Sequence, residues 1–534
     1  MRIRLLELVG MMAFLFLPVA PSVAADDGYE DLLQLFEEFR ESTGSGDSEF
    51  FATPVFSPEE IAAEATALVK FQSRLRAIDS SDWPVSKQVD YHLVRAEMNG
   101  LEFVHRVLKP WQRDPGMYSD MTTILGELGS PPWDQDYLGV IEQMLSNVPA
   151  AYTQAVKNLR NTHQVPADLA TLAIRDLQRS RDSMPELIST AKSHHPELVQ
   201  PLQQAGVAIE DFFTWLQAHR SEMTAEAGVG KENYNWLLKN VYLFPYTWDE
   251  LRTLVELEDN RVITFQRLEE HRNRNDPHIQ PVQSQAEYEA SVRASIDSLM
   301  SFIRDQELFS MPDYLTPDDY IGSWHGFDNP WPEKHDYFFN FSHRESMMEE
   351  AHEMVGHHFD QLRGQFNTDP IRKGWRPYKI STARTEGFAF ALEELLMHAG
   401  YLDDRPAHAR EIAYEQAAFR TVRALSDIYM HSNDWSLEDA MSFCVANAPH
   451  GELLDDSPHL WFEMATTLRG VGHHMLMVVG KIQFMKLVRD RAQQQGDDFD
   501  LQEFMDEFFE YGLIPFSLIR WEMTGATDEI EKLW

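Results

Sequence analysis

Apolar positions recur every three or four residues along most of this chain, the spacing of one buried helix face. Ile61, Ala65, Leu68, Phe71 and Leu75 mark one such face. It opens on Ser57-Pro58-Glu59-Glu60, which supplies an N-cap, a proline at the first helical position and a capping-box acid. Thr247 to Glu250 repeats the capping box ahead of Leu251, Leu254 and Leu257. The same periodicity predicts helices over 86–110, 134–160, 166–192, 196–219, 283–305, 383–400, 409–431, 436–446, 462–492 and 501–511. Strand patterns are scarce. The best is Tyr337-Phe338-Phe339-Asn340-Phe341, a short aromatic run expected as an edge strand. Two stretches read as loops: 41–56, rich in Gly, Ser and acid, and 311–336, with Pro312, Pro317, Gly322, Pro330 and Pro332. The expectation is a mainly α protein of two helical lobes, residues 25–330 and 331–534, with at most a small edge β-sheet.

The first 24 residues read as an export signal. Arg2 and Arg4 give a positive start, Leu8 to Ala20 is uncharged, and Val23, Ala24 and Ala25 are small residues suited to cleavage. An apolar stretch of this length falls short of the roughly 20 residues that span a bilayer as a helix. No cysteine follows it, which argues against a lipid anchor on cysteine there. No later segment is long and apolar enough to cross a membrane. A soluble product, periplasmic or extracellular, is expected, with no integral membrane segment after signal cleavage.

Composition narrows the function. Across 534 residues the chain is 43% hydrophobic and 25% charged, the balance of a packed protein rather than a disordered one. Acids outnumber bases 86 to 46, a formal charge of −40, so phosphate backbones are repelled and no nucleic-acid partner is expected. The single cysteine, Cys444, allows neither an intrachain disulfide nor a cysteine-rich zinc site.

Chemistry concentrates in Ala351-His352-Glu353-Met354-Val355-Gly356-His357-His358. A zinc hydrolase needs two neutral imidazoles on one helix face and a carboxylate beside them to take a proton from water. The usual four-residue spacing brings the histidines within about 40° of each other. Here the next histidines come five and six residues after His352, and on an ideal helix His357 lies about 140° away. One inserted residue, accommodated as a π-bulge near Gly356, restores the shared face. His357 is preferred as the ligand on that ground, and His358 remains the alternative. A third ligand from another helix leaves one position open, and Glu386 fits that role. Glu393, seven residues on and nearly on the same face, is placed to hold a ligating histidine through its other ring nitrogen.

Other candidates carry less specific patterns. Arg420, Arg423, Asp427 and His431 share one helix face by spacings of three and four, as a substrate-carboxylate clamp or as a surface ion-pair ladder. His473 and His474 follow Gly470 and Gly472 and are candidate donors to a transition-state oxyanion.

These stretches resemble a bacterial family grouped as domain of unknown function 885, regarded as zinc metallopeptidases of the gluzincin type. Its members carry His-Glu-x-x-Pro-Gly-His-His and then Glu-Gly-Trp-Ala-Leu-Tyr-x-Glu. Here His352 to His358 and Glu386 to Glu393 match, with Phe388 for the tryptophan. Phe419 to His431, Trp435 to Ala440, Phe499 to Phe504 and Gly512 to Pro515 are similar to later family segments, with weaker likeness at Asp90-Tyr91 and Gly230 to Leu238. The resemblance implies a helical, metallopeptidase-like fold and one Zn2+ ion. Two departures stand out. The proline is missing, leaving His-Glu-x-x-Gly-His as in the dipeptidyl peptidase III family, and Met477 stands where the family tends to place a tyrosine. Oxyanion stabilisation is then expected from His473, His474 or His431.

The expected function is a metallopeptidase acting on short peptides, with zinc on His352, His357 and Glu386 and with Glu353 as general base. The alternatives are a non-catalytic, metal-containing peptide-binding protein and a zinc hydrolase of small-molecule amides or esters.

Overall fold

Three capping boxes fix where helices begin. In a computed structural model that describes residues 28–43, 56–118, 132–133, 135–318, 320 and 337–534, the Ser57 hydroxyl accepts from the Glu60 N–H while the Glu60 carboxylate accepts from the Ser57 N–H. Thr247 with Glu250, and Ser436 with Asp439, repeat the arrangement. Each satisfies backbone donors that a helix start leaves open. The fold is helical, and among the described residues the sole β pairing is an isolated bridge between Pro166 and Ala225.

The periodic segments become helices close to their expected bounds, including Val85–Phe103, Gln135–Asn158, Ala167–His194, Val199–His219, Gln285–Asp305 and Ala409–His431. Two expectations are corrected. The aromatic run at 337–341 is not an edge strand but part of a short helix, Tyr337–Ser342, and no sheet flanks the His352 segment among the described residues. A short apolar run suits either conformation by periodicity alone, and here its end packs into a helical core through buried Phe341. The expected helix 462–492 is two, Pro458–Arg469 and His473–Gln495, parted by Gly470 and by Gly472 at φ 79°. The export segment 1–24, most of 41–56 and most of the 311–336 loop lie outside the described residues. Among the described residues no helix is long and apolar enough to cross a membrane.

Three cores organise the packing among the described residues, one of them around Phe341, Phe419, Leu437 and Cys444. Helices between residues 138 and 223 enclose their own, around Leu145, Tyr152, Leu177, Ile209 and Phe212. The largest core joins Leu32, Leu93, Leu238 and Val255 to Met354, Leu392, Val478 and Ile519, so apolar packing runs across residue 330 rather than dividing there.

At its centre the helix Thr382–His398 makes its most extensive contact with His473–Gln495. The crossing is close because both sides are glycine: a Cβ on Gly387 would lie 2.5 Å from Gly480 Cα. Ion pairs add to this seam. Lys481 reaches Glu394 at 2.5 Å and Glu258 at 2.8 Å, and Arg261 closes the group from the helix Trp248–Asn273 at 2.6 Å from Glu394. The helix Ala409–His431 is buried on nearly every side, so its charged residues must find partners inside the protein.

Candidate metal centre

The segment Ala351–His358 is a π-helix set between the α-helical pieces Met347–Glu350 and Phe359–Phe366. Its exit shows the register directly, since the Phe359 N–H donates to the Met354 carbonyl five residues back. Widening the turn brings residues five apart onto one face. The His352 and His357 rings stand 4.7 Å apart at 87°, both directed at Glu386.

Gly356 serves a further purpose here. A Cβ at that position would sit 2.5 Å from Ala389 Cβ, one turn along the helix that carries Glu386. The missing side chain lets the two helices approach until the carboxylate reaches both imidazoles. Glu386 Oε2 lies 3.7 Å from His352 Nε2 and 3.6 Å from His357 Nε2. Donors held at about 2.1 Å around a tetrahedral ion stand about 3.4 Å apart. The three donor atoms all lie within 4.8 Å of one another, so His352, His357 and Glu386 fit such an ion with little movement. His358 points elsewhere, with its Nε2 3.3 Å from the Thr316 carbonyl.

His352 is aimed by a chain of charged partners. Its Nδ1–H donates to Glu393 at 2.7 Å, which turns Nε2 toward Glu386. Arg420 grips both oxygens of the same carboxylate, at 2.7 Å on the Oε1 that His352 also uses and at 3.0 Å on Oε2. His357 has no such support: its Nδ1 is buried without a hydrogen-bond partner among the described residues.

Electrostatics inside the group are mutual. Burial alone would raise the Glu386 carboxyl, yet the two imidazoles hold it well below the usual range. Burial likewise opposes charge on His357, but Glu386 outweighs it and lifts the ring to about 9. The site therefore favours positive charge beside Glu386, supplied by a proton or by a metal ion. Glu353, half-buried on the same π turn, adds negative charge facing His357. Nearby, burial pushes the Glu350 carboxyl up to about 8 despite a hydrogen bond from Tyr320.

The remaining candidates are brought near one another but not into a clamp or a surface ladder. Arg423 pairs with buried Glu463 at 2.7 Å, and Glu463 also faces His474 at 3.2 Å and His459 at 3.3 Å. Asp427 accepts backbone N–H groups from Gly472, His474 and Met475 at 3.0, 3.0 and 3.2 Å. It thus caps the helix His473–Gln495 from another helix, where a carboxylate is favourable. Burial still pushes its pKa up to about 7. His431 is removed from oxyanion duty. Its ring is wholly enclosed, its Nε2 meets the Thr467 carbonyl at 3.0 Å, and burial lowers it to about 4. His473 lies within electrostatic reach of Glu386, neutral because burial lowers it to about 3, with Nδ1 3.1 Å from Lys379 Nζ. Sequence patterns singled out none of Lys379, Glu350 and Glu463.

The chain matches the family described as bacterial protein of unknown function (DUF885) over residues 42–314 and 328–523. It belongs to that family. No curated protein matches it. Among solved structures, a candidate lipoprotein of unknown function from Shewanella oneidensis aligns with a TM-score of 0.67 at 15% identity, covering 93% of this chain and 98% of that one. A candidate lipoprotein from Colwellia psychrerythraea aligns with a TM-score of 0.68 at 13% identity, covering 93% and 99%. At these identities the likeness is one of fold, and this DUF885 chain shares it along nearly its whole length.

Proposed function

We propose that this chain is an exported, zinc-dependent metallopeptidase. One observation carries the reading: His352, His357 and Glu386 converge with all donor atoms within 4.8 Å, on a π-helical turn that brings a five-residue spacing onto one face. Two imidazoles and one carboxylate make up the protein donor set of catalytic zinc sites, in which a further position stays open. Zinc bound there would polarise a substrate carbonyl and make a water acidic enough to attack near neutral pH. Glu353 is the general base, accepting a proton from the attacking water on its carboxylate and passing it to the leaving amine nitrogen. Glu393, itself held by Arg420, orients the His352 ring so that Nε2 is the nitrogen turned toward Glu386.

Peptide bonds are the substrate favoured by the resemblance of His352–His358 and Glu386–Glu393 to metallopeptidase stretches. Export is supported by the apolar Leu8–Ala20 segment with its small residues beyond, and by relatives of this fold described as candidate lipoproteins. The test is elemental analysis of the dialysed protein together with mass spectrometry of a peptide-library digest, with and without a chelator. One zinc per chain and chelator-sensitive cleavage are expected. Zinc without any cleavage would instead support a binding protein, and cleavage of small amides or esters alone would move the reading to a different hydrolase.

A further inference from the structure

Among the described residues, Lys379 is a cation with no anion in ion-pair contact. In a chain with 86 acidic and 46 basic residues, its ammonium sits half-buried, and among the described residues its side-chain hydrogen bond goes to a neutral ring, His473 Nδ1 at 3.1 Å. Glu386 and Asp427 attract it only at longer range, and burial lowers its pKa. The nearest anionic cap is already engaged, since Asp427 accepts three backbone N–H groups.

The surroundings are shaped to keep this ammonium in place. A Cβ on Gly470 would lie 2.6 Å from Lys379 Cε and 2.9 Å from its Nζ, so the side chain occupies space that any other residue at 470 would fill. Tyr378 and Lys379 both adopt left-handed backbone, with φ 58° and 59°, just before the helix that bears Glu386. Such conformations are costly for non-glycine residues and persist where surrounding structure imposes them. Here Tyr378 is wedged against Gly100, whose Cβ would collide with its ring.

We infer that Lys379, together with His473, receives the free C-terminal carboxylate of a peptide whose scissile bond lies at the His352–His357–Glu386 centre. The inference rests on the metallopeptidase reading and adds a substrate class: peptides cleaved close to an unblocked C-terminus. One ammonium proton goes to His473 Nδ1, which places the proton of the neutral ring on Nε2. The ammonium's remaining N–H groups and this Nε2–H give adjacent donors for the two oxygens of a carboxylate. A permanent anion matches the position better than a transient oxyanion, because the ammonium is partly desolvated before substrate arrives.

The test is calorimetric binding of benzoyl-glycyl-phenylalanine and its C-terminal amide to the zinc-loaded Glu353→Gln protein, with Lys379→Met as the comparison. The acid should bind at least about tenfold tighter than the amide, and Lys379→Met should bring the two within about twofold while zinc content and amide affinity hold. Equal binding of acid and amide by the Lys379 protein overturns the inference, even if the variant fails to fold. So does a preference that survives Lys379→Met, or the absence of saturable binding by either probe. Equal binding accompanied by a fall in kcat for Lys379→Met in the Glu353 protein would assign the ammonium to the oxyanion instead. The peptidase reading fails separately, if the unaltered protein leaves the peptide library intact while still preferring the acid.

Discussion

Glu393 and His352, 41 residues apart in the chain, meet at 2.7 Å through Oε1 and Nδ1. That one bond decides which imidazole nitrogen faces the metal position, and Arg420 locks the carboxylate that makes it. Glu393→Gln keeps the shape but weakens the acceptor and its hold on Arg420. Zinc affinity, measured by competition with a chromogenic chelator, should fall about 10–100-fold. Glu386→Gln should lose more, since it removes a ligand charge outright. A Glu393→Gln protein with parental affinity would show that the bond is incidental.

Glu353 adjoins His352 on the widened turn but lies outside the three-donor group. Glu353→Gln should therefore bind one zinc per chain, as the parent does, while kcat drops by at least about 10²-fold. The pairing of retained metal with lost turnover is the signature. Loss of both would make Glu353 a ligand, and loss of neither would remove it from the mechanism.

Much of this centre was legible because its spacing is anomalous. Histidines five apart fit no regular α-helix, and the π turn at Ala351–His358 resolves the anomaly. The seven-residue step from Glu386 to Glu393 placed both carboxylates on one face, and each reaches His352. Periodicity also aligned Arg420, Arg423, Asp427 and His431, but it reports a shared face and not what covers that face. The covering came from distant segments: Glu393, Glu463, the Gly472–Met475 backbone and the Thr467 carbonyl. Lys379 was hidden for another reason. Its left-handed turn contains neither glycine nor asparagine, so although Pro377 marks a turn, nothing in the sequence marks the left-handed backbone. The aromatic run at 337–341 shows the converse weakness, since strand-like composition did not prevent a helix.

Asp427 gives the fold a pH dependence of known sign. Its carboxyl is raised to about 7 by burial, against about 3.9 in an unfolded chain. Between those values the folded protein holds a proton that the unfolded chain releases. The Asp427 contribution to stability is thus fully present below about pH 4 and is lost as pH rises through about 7, at up to roughly 1.4 kcal/mol per pH unit. Asp427→Asn removes the titration. Urea unfolding at several pH values should show the difference between parent and variant shifting toward the variant from about pH 4 to 7. A difference independent of pH would mean that the carboxylate stays ionised among its three N–H donors.

Gly356 couples the fold to the centre most directly. The helices bearing His352 and Glu386 approach at this point, and a Cβ there would lie 2.5 Å from Ala389 Cβ and 2.8 Å from Ala389 Cα. Neither atom belongs to a flexible side chain that could swing aside, so Gly356→Ala must part the helices or bend the π turn. Forcing a methyl into a packed core of this kind costs about 1–3 kcal/mol. Glycine is also a poor residue within an ordinary helix, and alanine would favour a regular turn by roughly 1 kcal/mol, returning His357 to the wrong face. Both effects act against the metal centre. Zinc affinity should fall by at least about tenfold even in preparations that remain folded by circular dichroism. The double variant Gly356→Ala with Ala389→Gly tests the cause, because it removes the closest contact, to Ala389 Cβ, while leaving alanine in the turn. Recovery of zinc binding would assign the role of Gly356 to helix approach, and a loss as complete as in Gly356→Ala would show that the Ala389 methyl is not what excludes a side chain there.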